Sequence, residues 1–280
     1  ACGGGCGAST SAACAQCATG GCSSFVWPAA CTTSQQVPCG TGTKPNYLSG
    51  LPDAHQAGGF DADYVCWHEA MRLCPYVPLG QKVQNVCHHC QGTSSGVTLS
   101  AGVDLGNKSV ATVDGWFASG GALQTAQDLK PYFQRYRGRK LDCALQVLCQ
   151  CPMPRLLSST EARALFQATV AATLADYTAL YNSFSPTVPF EQEKKCVRTV
   201  LVDLAYLYGT HGIPRTTTLT ALRDKGDNLN RLLQEIKDPA RWGLPATVTA
   251  IDPKTRLGEN MRVLELCLSS EQQDTGSVSY

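Results

Sequence analysis

Sixteen cysteines, at positions 2, 6, 14, 17, 22, 31, 39, 66, 74, 87, 90, 143, 149, 151, 196 and 267, limit this chain more than anything else in it. A reducing cytosol does not hold that many structural thiols safely. An oxidising compartment lets an even set close as disulfides. A secreted, extracellular protein is therefore expected, with the pairing left open by spacing alone. The chain starts at Ala1, which fits a mature form whose signal peptide has been removed. No run of apolar residues is long enough to suggest a membrane span.

The cysteines are unevenly spread. Seven fall within the first 39 positions, among Gly, Ala, Ser and Thr, with no helical or strand period. Residues 1–58 are read as a small module held by disulfides plus a Gly/Pro/Asn-rich linker. Because seven is odd, one bridge should leave the module unless a thiol stays free. Phe25, Trp27 and Tyr47 either fill the module's interior or stack on sugar rings. Residues 59–268 are read as the main domain and 269–280 as a flexible polar tail.

Within the main domain the pattern is α+β. A short helix is expected over 62–73, and glycines flanking β-branched residues at 96–105 suggest a hairpin. A helix follows over 159–181, opened by the capping box of Ser158 and Glu161, with Phe166, Val170, Leu174, Tyr177 and Tyr181 on one face. Further helices are expected over 190–208, stopped by Gly209, over 218–236, and over 257–268.

A net charge of +1 argues against a nucleic-acid-binding protein. The basic run from Arg135 to Lys140 is read as a solvated loop. Cys87-His88-His89-Cys90 is read as a disulfide loop, since four contiguous ligands close poorly around a metal. No G-x-S-x-G element supports a serine hydrolase, and His211 sits among turn residues.

Two features carry chemistry. Glu69 is the only glutamate before Glu161 and lies beside Cys66, Trp67 and Leu73. Apolar neighbours favour the protonated carboxyl that a general acid needs. The second feature is the segment Ser95 to Gly106, which contains Gly96-Val97-Thr98-Leu99-Ser100-Ala101-Gly102-Val103-Asp104-Leu105-Gly106. It resembles the β motif of the phage-type lysozymes, most closely their pesticin-like branch. Tyr76-Val77-Pro78, Leu129-Lys130-Pro131-Tyr132, Ser158 to Leu165, Val200 to Gly209, and Arg256 to Leu264 resemble further motifs of that family in the same order. The chain departs from the pattern at Ala70 and Ser100, where the family has glycine, at Val103, where it has an aromatic, and in an apparent insertion over 79–94.

The resemblance implies a lysozyme-like fold and a muramidase acting on bacterial peptidoglycan. In that role Glu69 is the general acid, and Asp104 and Thr98 hold the attacking water. Tyr76, Ser100 and Tyr208 are expected to bind substrate. No metal or cofactor is required, and a monomer is expected. Attack by water from the far face would invert the anomeric centre, which calls for carboxyls roughly 6.5–9.5 Å apart. The alternatives are a weakened peptidoglycan- or glycan-binding protein and an endochitinase.

Overall fold

The computed structural model describes residues 36–39, 58–77, 95–140, 151–183, 188–209, 237–242 and 250–274, together with 144, 147, 148, 233, 234 and 247. Phe25, Trp27, Tyr47, Cys87 to Cys90, His211 and most of the helix expected over 218–236 lie outside the described residues. The chain forms two compact units, one from residues 1–41 and 69–169, the other from 42–68 and 170–280.

The first unit is built on a four-stranded antiparallel sheet of order β1-β2-β3-β4. Its strands are β1 (Gln36–Val37), β2 (Met71–Tyr76), β3 (Thr98–Ser100) and β4 (Val103–Asp104). β1 comes from the segment read as the end of the cysteine-rich module and pairs Gln36 with Arg72 and Val37 with Met71. β3 and β4 form the expected hairpin, with Thr98 opposite Asp104 and Leu99 opposite Val103. β2 meets β3 out of step, because Arg72 pairs with Ser100 and Tyr76 with Thr98. Five positions on β2, Arg72 to Tyr76, thus span three on β3, so β2 bulges. Pro75 lies inside that bulge, where its missing N–H costs the ladder nothing.

Asp104 caps a 3₁₀ turn at Leu105–Asn107, and Ser109 caps the helix Val110–Phe117. Helix α1 spans Ala62–Glu69, α2 Val110–Phe117 and α3 Lys130–Tyr136. Trp116 and Phe117 meet Phe133 edge-on, with ring centroids 6.4 and 5.2 Å away. Each such pair adds about 0.5–1.5 kcal/mol beyond the area it buries. The basic run from Arg135 to Lys140 begins inside α3 and is not the solvated loop expected. Gly138 N–H donates to the Leu105 carbonyl, Lys140 bridges to Gly96, and Tyr136 is fully buried with its hydroxyl on the Cys151 carbonyl at 2.6 Å.

Helix α4, Ser159–Asn182, begins with the expected capping box. Ser158 N–H donates to Glu161 Oε2 at 2.7 Å, and Glu161 N–H donates back to Ser158 Oγ at 3.2 Å. Arg155 grips the same carboxylate and holds its pKa down to about 2. Phe166, Val170, Tyr177 and Tyr181 are buried, as the stripe predicts.

In the second unit, α5 (Lys195–Tyr208) is buried without a break from Cys196 to Ala205, and Gly209 ends it at a φ of 78°. Helix α6 spans Arg256–Asp274, continuing past Leu268 into the segment expected to be a tail. A disulfide between Cys196 and Cys267 ties α5 to α6. Cys39, Cys66, Cys74 and Cys151 are also disulfide-bonded.

Candidate active site

The first turn of α1 is set by Asp61, whose Oδ1 accepts from the N–H groups of Asp63 and Tyr64 at 2.9 and 3.2 Å. The helix ends at Glu69, four residues earlier than the expected limit at Leu73, because Ala70 takes a φ of 57°. Leu73 consequently lies in β2. A left-handed residue stops a helix and turns the chain sharply.

The Glu69 side chain reaches the tip of the β3–β4 hairpin. It packs so closely on Gly102 that a Cβ built there would lie 2.6 Å from the Glu69 carboxyl carbon. Gly102 also holds a φ of 73°. Both its missing side chain and its handedness are therefore used.

Beside this tip runs a row of three residues. Tyr76, Thr98 and Asp104 stand opposite one another on β2, β3 and β4. Directly paired residues project from the same face of a sheet, so the three side chains are neighbours. Asp104 is anchored on one side: its Oδ1 accepts from Gly96 N–H at 2.8 Å and Gly106 N–H at 2.7 Å. Its Oδ2 accepts from Asn107 Nδ2 at 2.8 Å. Thr98 is buried and donates to the Gly96 carbonyl at 3.3 Å, which leaves its oxygen lone pairs for another donor.

Tyr76 reports on the surrounding charge. Its hydroxyl pKa is pushed up to about 12, first by burial and next by the Glu69 carboxylate; Arg72 opposes the rise and Asp104 adds to it. The two acids thus act on one phenol. Arg72 lays its guanidinium over the Tyr76 ring, 4.5 Å from the centroid.

Ser100 and Tyr208 are the other two residues expected to bind substrate. Ser100 is fully buried, at a φ of 53°, and donates its hydroxyl to the Ala162 carbonyl at 2.6 Å. Its hydroxyl thus packs the hairpin on the first turn of α4. Tyr208 belongs to the second unit, where it is 42% exposed and stacks on Trp242 at 4.9 Å.

Sequence reasoning missed Arg72, Gly102 and Asn107. It also missed the buried cluster around His68, the residue before Glu69. His68 Nε2 lies 2.8 Å from Glu259 Oε2, and Nδ1 lies 3.2 Å from Asp203 Oδ2 without hydrogen-bond alignment. Arg256 grips both Asp203 oxygens at 2.6 and 2.8 Å, Asn260 adds a bond at 2.9 Å, and Tyr64 donates to Asn260. Burial alone would raise the Asp203 pKa, but His68 beside it and the Arg256 guanidinium bonded to it overcome that and hold it below the usual range. The Arg256 and Glu259 motif is explained by this cluster. Among the described residues, no group of three or more His, Cys, Asp or Glu is placed to hold a metal ion. No described helix is long and apolar enough to cross a membrane.

A family model described as "Pesticin: Bacterial toxin homologue of phage lysozyme, C-term" matches residues 60–221, more than half of the chain. The chain belongs to the pesticin family. The pesticin match includes Glu69, Tyr76, Thr98, Asp104 and Tyr208, and it leaves out both the cysteine-rich segment and α6. The α+β arrangement seen here is that of a lysozyme-like fold, and pesticin membership suggests muramidase-type glycoside hydrolysis. No curated protein compared with the chain matches it.

Proposed function

We propose that this protein is a muramidase, hydrolysing the β-1,4 bond between N-acetylmuramic acid and N-acetylglucosamine of bacterial peptidoglycan with inversion. The observation that carries the reading is the Tyr76–Thr98–Asp104 row lying beside a hairpin tip on which the Glu69 carboxyl rests. Glu69 donates its proton to the glycosidic oxygen as the bond to the anomeric carbon breaks. A water donates one hydrogen bond to Asp104 Oδ2 and one to Thr98 Oγ1. Its lone pair then faces the anomeric carbon, and its proton passes to Asp104 as the new C–O bond forms. The oxygen of Asp104 that would take the proton is the one held by a single amide, while the other is locked by two backbone N–H groups. The disulfide-bonded cysteines support a secreted setting.

The test is hydrolysis of purified peptidoglycan by the wild type beside Glu69→Gln, with the new reducing ends identified. N-acetylmuramic acid ends from the wild type alone support the proposal. Binding without cleavage by both proteins would make this a peptidoglycan-binding protein. Cleavage of chitin in place of peptidoglycan would make it an endochitinase.

A further inference from the structure

We propose that Arg72 reads the charge of the glycan: its guanidinium binds the anionic lactyl-peptide arm of the muramyl sugar, and so favours peptidoglycan over a neutral N-acetylglucosamine polymer. The identity of that arm rests on the muramidase reading, while the preference for an anion rests on Arg72 itself.

Arg72 is exposed on β2, opposite Ser100 on β3 and Gln36 on β1. The β2 bulge brings it back against Tyr76, a residue that shares its surroundings with Glu69 and Asp104. Two other guanidiniums of the chain are held by carboxylates: Arg155 holds Asp128 and Glu161, and Arg256 holds Asp203. Among the described residues no carboxylate pairs with Arg72, whose guanidinium lies over the Tyr76 ring.

That arrangement suits an anion arriving from solution. The Tyr76 ring covers one flat face of the guanidinium, and contact through a face does not use the N–H edge, the planar fork that matches a carboxylate with two parallel bonds. The ring also fixes a side chain that would otherwise lose rotamer freedom on binding. A cation that served only to cover Tyr76 would not need its charge, because a methionine of similar length covers a ring as well.

The experiment measures binding in the Glu69→Gln background, where turnover cannot consume the probe. The probes are N-acetylglucosaminyl-N-acetylmuramyl dipeptide and the same compound with its carboxyls amidated. The protein with Arg72 should bind the anionic probe about tenfold more tightly. That preference should vanish in Arg72→Met, survive in part in Arg72→Lys, and shrink as salt is raised. Equal affinity for the two probes with Arg72 present, or a preference that survives Arg72→Met, overturns the inference. Equal weakening toward both probes does so too, since it marks a merely structural role. Cleavage is scored separately on whole peptidoglycan. An Arg72-dependent preference without cleavage sinks the muramidase reading alone, and cleavage with no Arg72-dependent preference sinks this inference alone.

Discussion

Ala70 and Ser100 share one backbone irregularity: they are the two non-glycine residues with positive φ among the described residues, at 57° and 53°. Both stand where the family pattern carries glycine. The left-handed conformation costs an L-residue about 1–2 kcal/mol, and glycine gives back about 0.5–1 of that in chain entropy. Ala70→Gly should therefore raise stability by roughly 0.5–1 kcal/mol in denaturant unfolding. Ser100→Gly should come out near zero, because it also removes the bond to the Ala162 carbonyl. A destabilised Ala70→Gly protein would show that the turn after Glu69 carries no such strain.

Gly102 underlies the acid directly. Gly102→Ala adds a Cβ inside the space of the Glu69 carboxyl and places an L-residue at a φ of 73°. Turnover should fall by about tenfold or more as the carboxyl is displaced. Stability should drop by about 1–2 kcal/mol. Steady-state rates and a melting curve on the same preparation check both, and wild-type turnover would refute the close packing.

Asp104 and Thr98 should separate stability from rate. Asp104→Asn presents an amide where three N–H donors now converge, so it should cost about 1–3 kcal/mol and lower turnover roughly a hundredfold. Thr98→Val keeps the β-branched shape and loses only the hydroxyl. It should leave the fold within about 1 kcal/mol and still slow turnover about tenfold. Equal losses of stability in the two variants would contradict this division.

Asp203 gives the acid limb of the stability curve a sign. Its folded pKa is lowered, so its stabilisation is present above the ordinary aspartate pKa of about 3.9 and is lost as pH falls through the folded value. Unfolding free energy measured against pH should decline below about pH 4. Asp203→Asn should flatten that decline and cost about 3–5 kcal/mol at neutral pH, because Arg256 loses its buried partner. An unchanged acid limb in the variant would rule Asp203 out as its source.

What could be read from the sequence was what neighbours in sequence decide. The capping box of α4 needs only Ser158 and Glu161, and it forms as expected. The β3–β4 hairpin needs only its own glycines and β-branched residues. The end of α1 was misjudged because Ala70 offers no stop signal; its turn comes from an alanine held in a glycine's conformation. β1 is two residues long and pairs across more than thirty positions of chain, so no local pattern announces it. At the site, Glu69, Thr98 and Asp104 were singled out by the resemblance to the phage-type lysozyme motif rather than by any local pattern. Arg72 and Asn107 were invisible because a bulge and a 3₁₀ turn, rather than any motif, bring them to Tyr76 and Asp104. The burial of Ser100 was not legible because it depends on a helix sixty residues downstream.

A single residue, Ala70, joins α1 to β2. A strand shows alternate residues to alternate faces, so its phase is fixed wherever it starts. With no slack between the two elements, the direction of the last helical side chain and the phase of the strand are geared together. An insertion of one residue at this joint would leave every side chain of the site in the sequence and turn Arg72 and Tyr76 to the opposite face from Thr98. At position 70 the chain has no room to count differently.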